Sequence, residues 1–194
     1  METLLKTEKS SLNVYDMSIE GLQLVKECIE TCDNELDVNP EVIIYGKVCR
    51  QRRNVGFYSD VSNGYMISNT IRKPKPMKTC LVKLLEYVNT KFNYDFNGIL
   101  INKYSNGEDY ISKHSDTGTK LDASAGIIGI SYGTVRKFRV RDKKTNKIVI
   151  DIPTNSKKII QMAGDFQEEF THEIPVEKKV KDCRYSLTFR RYTK

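Results

Sequence analysis

The segment Arg184-Tyr-Ser-Leu-Thr-Phe-Arg190 alternates polar and apolar side chains from its first residue to its last. In a β-strand, residues two apart project from the same face. Two arginines, a serine and a threonine therefore share one face, and the tyrosine, leucine and phenylalanine share the other. The polar face is either the solvated outside of an amphipathic strand or the lining of a cavity for an acidic ligand, which the guanidinium fork suits well.

Short apolar runs of the same kind precede this segment, and turn residues such as Ser105-Asn-Gly107 and Gly133 separate them. Many short strands at near-regular spacing predict an antiparallel sandwich or barrel. We expect strands over residues 98–104, 127–132, 137–141, 148–152, 158–162 and 184–192.

Two amphipathic segments lie before this β-rich region. Apolar residues recur at helical spacing over residues 17–32, with Ser18 as the expected N-cap. Pro74 and Pro76 mark a break before a second helix over residues 77–92, which we expect to back onto the sheet. The expected fold class is therefore α+β, with two helices supporting a C-terminal β-rich core.

The composition is that of one globular domain. The chain has a mass of 22.4 kDa, with 39% hydrophobic and 29% charged residues. Its apolar runs are strand-sized and too short to span a bilayer, and its first residues show no apolar signal region. We expect an intracellular protein of the cytoplasm or nucleus that acts as a monomer. Its five scattered cysteines are expected to be reduced thiols.

The net charge of +7 is unevenly distributed. Basic residues concentrate in three stretches, at 47–53, 136–147 and 178–194, whereas residues 20–41 are rich in acids. Such clusters fit a polyanionic partner, because neutralisation of phosphates supplies most non-specific affinity for nucleic acids. The alternative is a solvated lysine-rich surface.

The chain contains only two histidines. His114 precedes Asp116 by two residues, so both can project from one face of a strand toward the same metal ion. With His172 they make two imidazoles and one carboxylate, the ligand set of non-haem iron(II) oxygenases. The alternative is that the triplet arose by chance and that each histidine has an ordinary structural role.

Several motifs follow one another from about residue 43 to the C-terminus. They are Tyr45-Gly-Lys, Arg53-x-x-x-x-Tyr58-Ser-Asp60, Asn102-x-Tyr104, His114-x-Asp116, 128–138, Gly164-x-x-Gln167, His172-x-x-Pro175 and Arg184–Arg190. In order and spacing this set resembles the AlkB family of iron(II)- and 2-oxoglutarate-dependent dioxygenases, of the type that repairs alkylated nucleic acids. Each motif is weak alone, and the ordered set is specific.

The resemblance implies a double-stranded β-helix (jelly-roll) core in one dioxygenase domain over residues 1–194. Within it, 1–42 would be an N-terminal helical extension, 43–75 a nucleotide-recognition lid, and 76–194 the supporting helix and jelly-roll core. The family pattern assigns the iron(II) ligands as His114, Asp116 and His172. It assigns the 2-oxoglutarate-binding residues as Asn102, Tyr104, Arg184, Thr188 and Arg190.

The same resemblance implies oxidative removal of N-methyl groups, such as those of 1-methyladenine and 3-methylcytosine, from DNA or RNA. Oxygen and 2-oxoglutarate would be consumed, and formaldehyde, succinate and CO2 released, in a DNA-repair or RNA-demethylation setting. The base must be flipped out or already single-stranded to reach the site. Substrate contacts would come from Arg52, Arg53, Tyr58 and Arg136, with Arg139 and Arg141 near the mouth.

Two positions depart from the family's pattern. Gly118 stands where repair members often carry an acidic residue that recognises the base, and Ser186 stands where the final motif has an asparagine. Two other functions remain alternatives: an oxygenase of the same chemistry that acts on a protein or small molecule, because one fold hosts many substrates, and a metal-free nucleic-acid-binding module.

Overall fold

The computed structural model describes residues 1–67, 70–118 and 120–193, and many more of them lie in β-strands than in helices. The helices are α1 (Ile19–Cys32), α2 (Thr79–Phe92) and the one-turn α3 (Phe166–Glu169). The strands are β1 (Glu2–Lys6), β2 (Ser10–Asp16), β3 (Glu41–Ile44), β4 (Lys47–Arg50), β5 (Asn54–Tyr58), β6 (Tyr65–Ile67), β7 (Thr70–Arg72), β8 (Gly98–Tyr104), β9 (Ile111–His114), β10 (Ile127–Gly133), β11 (Arg136–Asp142), β12 (Ile148–Thr154), β13 (Lys158–Gly164), β14 (Phe170–Ile174) and β15 (Arg184–Arg190).

Two antiparallel sheets form the body of the protein. In the described part of the chain the larger has seven strands in the order β1-β2-β13-β10-β15-β8-β5, and the smaller has four in the order β12-β11-β14-β9. From β8 onward the chain passes repeatedly from one sheet to the other. Two separate hairpins, β3–β4 and β6–β7, flank β5 in sequence. Among the described helices, none is long and apolar enough to cross a membrane.

The two long helices pack on the outer face of the larger sheet. The Ser18 hydroxyl caps α1 by accepting the Gly21 N–H at 3.0 Å, and α2 ends at Asn93, which adopts the left-handed conformation. Fully buried side chains meet between helices and sheet, among them Val25, Leu84, Val88, Ile99, Ile101, Leu187 and Phe189. Each such side chain contributes roughly 1.5–3 kcal/mol relative to exposure, so this layer stabilises the sheet that carries the cavity.

Both predicted helices and all six predicted strands agree with the structure to within two residues at each end, whereas β9 and β14, which carry His114 and His172, were not predicted. Strand β8 has the predicted bounds, and β15 ends at Arg190 rather than at residue 192. Beyond Arg190 the backbone of Tyr192 bonds to the side chain of Asn97 instead of continuing the ladder, with both bonds at 2.8 Å. An interaction with a distant side chain therefore ends the strand.

The helical prediction for residues 1–42 was incomplete. Residues 2–16 form β1 and β2, and β2 pairs with β13 along its whole length. The alternation that explains this lies in Ser10–Asp16, where Leu12 and Val14 are buried between the two sheets. Within the segment 43–75, strand β5 pairs with β8 in the larger sheet, so this segment is anchored to the core.

Gly98, the first residue of β8, faces the ring of Tyr192. A Cβ added there would lie 2.6 Å from Tyr192 Cε2, which is inside van der Waals contact. We therefore expect Gly98→Ala to lower the free energy of unfolding by about 1–3 kcal/mol, as overpacking usually does. Urea denaturation measures this value. Gly129→Ala is the matched control in a neighbouring strand, because its Cβ would meet nothing nearer than 4.0 Å; equal losses in both variants would contradict the prediction.

Candidate active site

His114, Asp116 and His172 lie together on the inner side of the smaller sheet. Their ligand atoms are within 4.8 Å of one another, and within the described residues this is the only such group of three. His114 Nε2 is 3.6 Å from Asp116 Oδ1, and His172 Nε2 is 3.9 Å from Asp116 Oδ2. The three residues that the sequence assigned to one metal ion are therefore brought together.

Strand pairing places the two imidazoles opposite each other. His114 ends β9 and is directly across from His172 in β14, and the ring centroids are 4.4 Å apart. The His172 ring also stacks on Phe138 of β11, at 5.2 Å and 21°. The Ser112 carbonyl lies 2.9 Å from His114 Nδ1, so Nδ1 carries the hydrogen and the Nε2 lone pair is free for a metal ion.

The electrostatics of the triad favour the protonation states that bind metals. Burial alone would raise the pKa of the Asp116 carboxyl, but Arg190 and the two histidines outweigh burial and bring that pKa to about 2. Burial lowers the pKa of His172 to about 3, and it also lowers the pKa of His114. At neutral pH the site therefore presents one carboxylate and two neutral imidazoles, as coordination requires.

The facing surface of the larger sheet is polar along three adjacent strands. The register puts Ser186 beside Asn102 and Ser131, and Arg184 beside Tyr104. Thr188 lines the cavity on the same face as these residues, next to Leu100 and Gly129. Neighbouring strands in register thus assemble the residues that the family pattern assigned to 2-oxoglutarate.

The Arg184 side chain is held rigidly at the base of this surface. Its Nη2 donates to Ser131 Oγ at 2.7 Å and its Nε to Thr154 Oγ1 at 3.2 Å, while the guanidinium lies over the Tyr104 ring at 5.3 Å. Burial lowers the pKa of Arg184 to about 10, so it remains charged near neutral pH. Its Nη1 is buried and has no hydrogen-bond partner among the described residues.

A second buried arginine, Arg190, lies near the triad. Its Nη2 donates to Asp116 Oδ1 at 2.7 Å, which links the larger sheet to the metal-binding carboxylate. A third, Arg53, donates from Nε to Asn102 Oδ1 at 2.8 Å and is also buried. All three arginines line one cavity of about 680 Å³ together with the triad.

The residues of this cavity fit a divalent metal ion and a dianionic ligand. Asp116 Oδ2, His172 Nδ1, Arg184 Nη1 and Arg190 Nε are buried and, within the described residues, have no hydrogen-bond partner. Unpartnered buried polar atoms are costly, so such a cluster indicates that a ligand completes the site. Three buried guanidinium groups outnumber the buried carboxylate of Asp116, which favours an anion such as 2-oxoglutarate.

Residues 20–190 match the family model of the 2OG-Fe(II) oxygenase superfamily, a range that takes in the whole triad, the smaller sheet, and the larger sheet except β1 and β2. The chain belongs to the 2OG-Fe(II) oxygenase superfamily. Iron(II) and 2-oxoglutarate are accordingly its cofactor and cosubstrate, with O2 as the oxidant.

Within the superfamily the similar proteins are AlkB homologues, which confirms the resemblance. The human "DNA oxidative demethylase ALKBH2" is 29% identical over 157 residues, which are 77% of this chain and 60% of that protein. The Bos taurus "Alpha-ketoglutarate-dependent dioxygenase alkB homolog 3" is 24% identical over 91% of this chain and 70% of that protein. The chain thus spans about 60% of the human relative's length.

The fold also agrees with a solved structure of an AlkB homologue. "The structure of OsALKBH1" superposes with a TM-score of 0.60 at 13% identity, covering 98% of this chain and 100% of that one. At this identity the likeness concerns the fold alone.

Two residues predicted to contact substrate lie elsewhere in this oxygenase. Tyr58 is fully buried on the helix side of β5, next to Cys32 and away from the cavity, because Val55 and Phe57 occupy the inner face. Arg136 is fully buried, and its guanidinium donates to the Glu177 carboxylate and to three backbone carbonyls. Neither side chain is available to a base or a phosphate.

The other two predicted contacts line the cavity in different ways. Arg52 is half exposed at its rim, with Glu108 and Asp109 3.9 Å away. Arg53 is buried inside the cavity and donates to Asn102, one of the residues predicted to bind the cosubstrate, so it does not lie at the surface.

The sequence did not reveal the contacts that several residues make in the site. Ser131 and Thr154 hold Arg184, and Gln167 accepts the Asp116 N–H at 2.8 Å. Ser131, Phe138 and Gln167 lie in motifs that marked the resemblance, but their contacts depend on how strands from different parts of the chain align. Thr154 lies in none of those motifs.

The two imidazoles offer a direct test of the metal site. Mn(II) is a redox-stable substitute for iron(II) and is paramagnetic, so we expect its binding to broaden the ring signals of both histidines beyond detection in NMR spectra. We expect His172→Ala to weaken Mn(II) binding by at least about 100-fold, since one of three ligands is lost. Ser112→Ala is the control, because its contact to His114 comes from the backbone carbonyl. Unchanged Mn(II) affinity in His172→Ala would show that the triad is not the metal site.

Proposed function

We propose that this oxygenase is an oxidative demethylase that removes N-methyl groups of the 1-methyladenine and 3-methylcytosine type from bases of DNA or RNA, releasing formaldehyde, succinate and CO2. The observation that carries the proposal is the triad, set in the wall of a cavity with three buried arginines and an open, basic mouth. The similar AlkB homologues, one of them called a DNA oxidative demethylase, support the substrate class.

The strand order supports a jelly-roll core in a single domain over residues 1–194. Strands β8 to β15 divide into two groups of four, β13-β10-β15-β8 and β12-β11-β14-β9, as in a double-sheet jelly roll. The hairpins β3–β4 and β6–β7 both contribute cavity-lining residues, such as Ile44 and Tyr65. They would therefore act as the nucleotide-recognition lid predicted for 43–75, anchored by β5.

The proposed roles follow from the contacts. His114, Asp116 and His172 would hold iron(II), which when bound supplies the oxidising chemistry with O2 and 2-oxoglutarate. Arg184, fixed by Ser131 and Thr154, presents its free Nη1 to a distal carboxylate of the cosubstrate.

Around the cosubstrate, Asn102 and Tyr104 line the same cavity surface, with Thr188 beside them. Arg190 presents its free Nε while its Nη2 keeps the Asp116 carboxylate in place. The buried walls exclude water from the reacting methyl group.

The cavity mouth suits a nucleic-acid strand with an extruded base. The β3–β4 hairpin turns at Tyr45 and Gly46, both with positive φ, and leaves the Tyr45 side chain 99% exposed at its tip. An exposed aromatic ring beside a cavity is a stacking surface for bases, worth roughly 1–3 kcal/mol per stacked base. Hence we place base stacking at Tyr45 rather than at the buried Tyr58.

The free positive charges at the mouth are lysines rather than the predicted arginines. Arg139 and Arg141 are engaged by Asp151 and Glu173. Lys113 contacts Asn146 in the β11–β12 turn, which also carries exposed lysines. Within the described part of the chain, no ion pair involves the exposed lysines of the rim and this turn, which are Lys113, Lys120, Lys143, Lys144 and Lys147.

The decisive experiment loads the protein anaerobically with iron(II) and 2-oxoglutarate, admits O2, and offers methylated DNA and RNA oligonucleotides. We expect succinate release coupled to loss of methyl groups from the bases, measured by mass spectrometry, with His172→Ala as the inactive control. Succinate release without demethylation of any oligonucleotide would favour the alternative, an oxygenase that acts on a protein or small molecule. Failure of both reactions would contradict the proposal.

The lysines of the turn should set affinity for the phosphate backbone. We expect the double variant Lys144→Glu, Lys147→Glu to weaken binding of a fluorescent single-stranded oligonucleotide by about tenfold and to reduce the slope of log K against log salt by about 1–2. Fluorescence anisotropy at several salt concentrations measures both. Lys83→Glu, Lys91→Glu makes the same charge change on α2, outside the cavity lining, and should leave binding nearly unchanged. Equal losses in the two double variants would indicate only a net-charge effect.

A further inference from the structure

Asp116 lies just beyond the end of a strand. Strand β9 ends at His114, so residues 115–118 have no ladder partners for their N–H groups. Asp116 is nonetheless buried, with 7% of its surface exposed. A buried N–H needs an acceptor, and a carboxylate whose backbone can move does not hold a fixed position for a metal ion. The contacts of this short segment therefore matter for the triad.

Gln167 in α3 supplies the missing acceptor. Its Oε1 accepts the Asp116 N–H at 2.8 Å, and the side chain is 3% exposed. Its Nε2 points to Met162 Sδ at 3.5 Å, and its backbone carbonyl accepts from Lys143 Nζ at 3.0 Å. The amide group is thus fixed at both ends between β13 and the segment that carries Asp116.

The position of Gln167 in the chain links the two halves of the triad. Helix α3 runs directly into β14, which carries His172 five residues after Gln167. A second contact joins the same parts, because Ser115 Oγ donates to the Phe170 carbonyl at 2.9 Å. The loop that presents Asp116 is therefore tied to the element that leads into the third ligand.

We infer that Gln167 is a positioning residue for the metal centre, which sets the location of the Asp116 carboxylate relative to His172 without touching metal or substrate. The inference rests on the proposed function, since it takes the triad as the iron site. A neutral carboxamide suits this role because it accepts the N–H without placing a second negative charge against Asp116. The Arg190 bond fixes the carboxylate from the opposite sheet, and the Gln167 bond fixes its backbone.

The test compares Gln167→Met, which keeps the length of the side chain but removes the acceptor, with Gln161→Met. Gln161 is a buried glutamine of β13 that bonds to Asn13, Tyr15 and Tyr94, so its loss disturbs the core away from the triad. Both variants should lower the melting temperature of the metal-free protein. Only Gln167→Met should weaken Mn(II) binding, by about 10–100-fold, as loss of groups behind metal ligands usually does. The Gln161 variant should change it by less than about threefold.

Hydrogen exchange of the Asp116 amide provides a readout that needs neither metal nor activity. In the wild-type protein we expect this amide to be protected although it lies outside a strand, and in Gln167→Met the protection should be lost while β14 amides stay protected. Gln167→Glu keeps an acceptor oxygen at the same place, so it should restore the protection of the Asp116 amide to within about threefold of wild type, although its charge can alter Mn(II) affinity separately.

The outcomes separate this inference from the proposed function. Absence of Mn(II) binding in the wild-type protein would overturn both. Wild-type binding that Gln167→Met leaves unchanged would overturn the positioning role alone. Equal weakening of Mn(II) binding by Gln167→Met and Gln161→Met, or equal loss of Asp116 amide protection in Gln167→Met and Gln167→Glu, would also overturn it, because the effect would then not come from the bond to Asp116.

Discussion

The Asp116 carboxylate forms a buried ion pair that connects the two sheets. It comes from the smaller sheet, and Arg190 of the larger sheet donates to Oδ1 at 2.7 Å with both side chains nearly buried. Removing one partner of a buried ion pair typically costs about 3–5 kcal/mol, because the other charge is left uncompensated. The bond occupies one oxygen and leaves Oδ2 without a partner among the described residues, directed toward His172. One carboxylate thus joins the sheets and still offers a ligand atom.

The two arginines of β15 lie at opposite ends of that strand. Arg190 lies at the triad, while Arg184 lies at the other end of β15, held by two hydroxyl groups and the Tyr104 ring. The Cα atoms of residues six apart in one strand are roughly 20 Å apart along its axis, and the long side chains of both arginines line the one cavity. A short dicarboxylate bound at the metal would approach each arginine with a different end. Because both arginines belong to one strand, the larger sheet would fix the orientation of the bound cosubstrate.

Local sequence patterns predicted the parts of this site that depend on alternation within one strand. The polar face of 184–190 follows from period two and appears in the structure. His114 and Asp116 also come together, but Asp116 lies beyond the end of β9, so alternation along a strand is not what places it. What could not be predicted depends on pairing between distant segments. Tyr58 and Phe57 are adjacent and both aromatic, and only the register of β5 against β8 decides that Phe57 faces inward and Tyr58 packs on the helices. Likewise the carbonyls that bury Arg136 come from two loops far from it in sequence.

Clusters of basic residues in the sequence were a poor guide to which charges are free. The run 136–147 contains arginines and lysines in equal prominence, yet in the structure they separate by position in the strand. The arginines of β11 lie opposite acids on β12 and β14, where a planar fork can bond in two places, and Arg139 does so with both oxygens of Asp151. Lys144 and Lys147 lie in the turn, where no strand faces them and the flexible ammonium stays solvated. Under the proposed function, a polyanion would meet the turn and the cavity rim rather than the strand, which would bring its backbone to the same side of the protein as the triad.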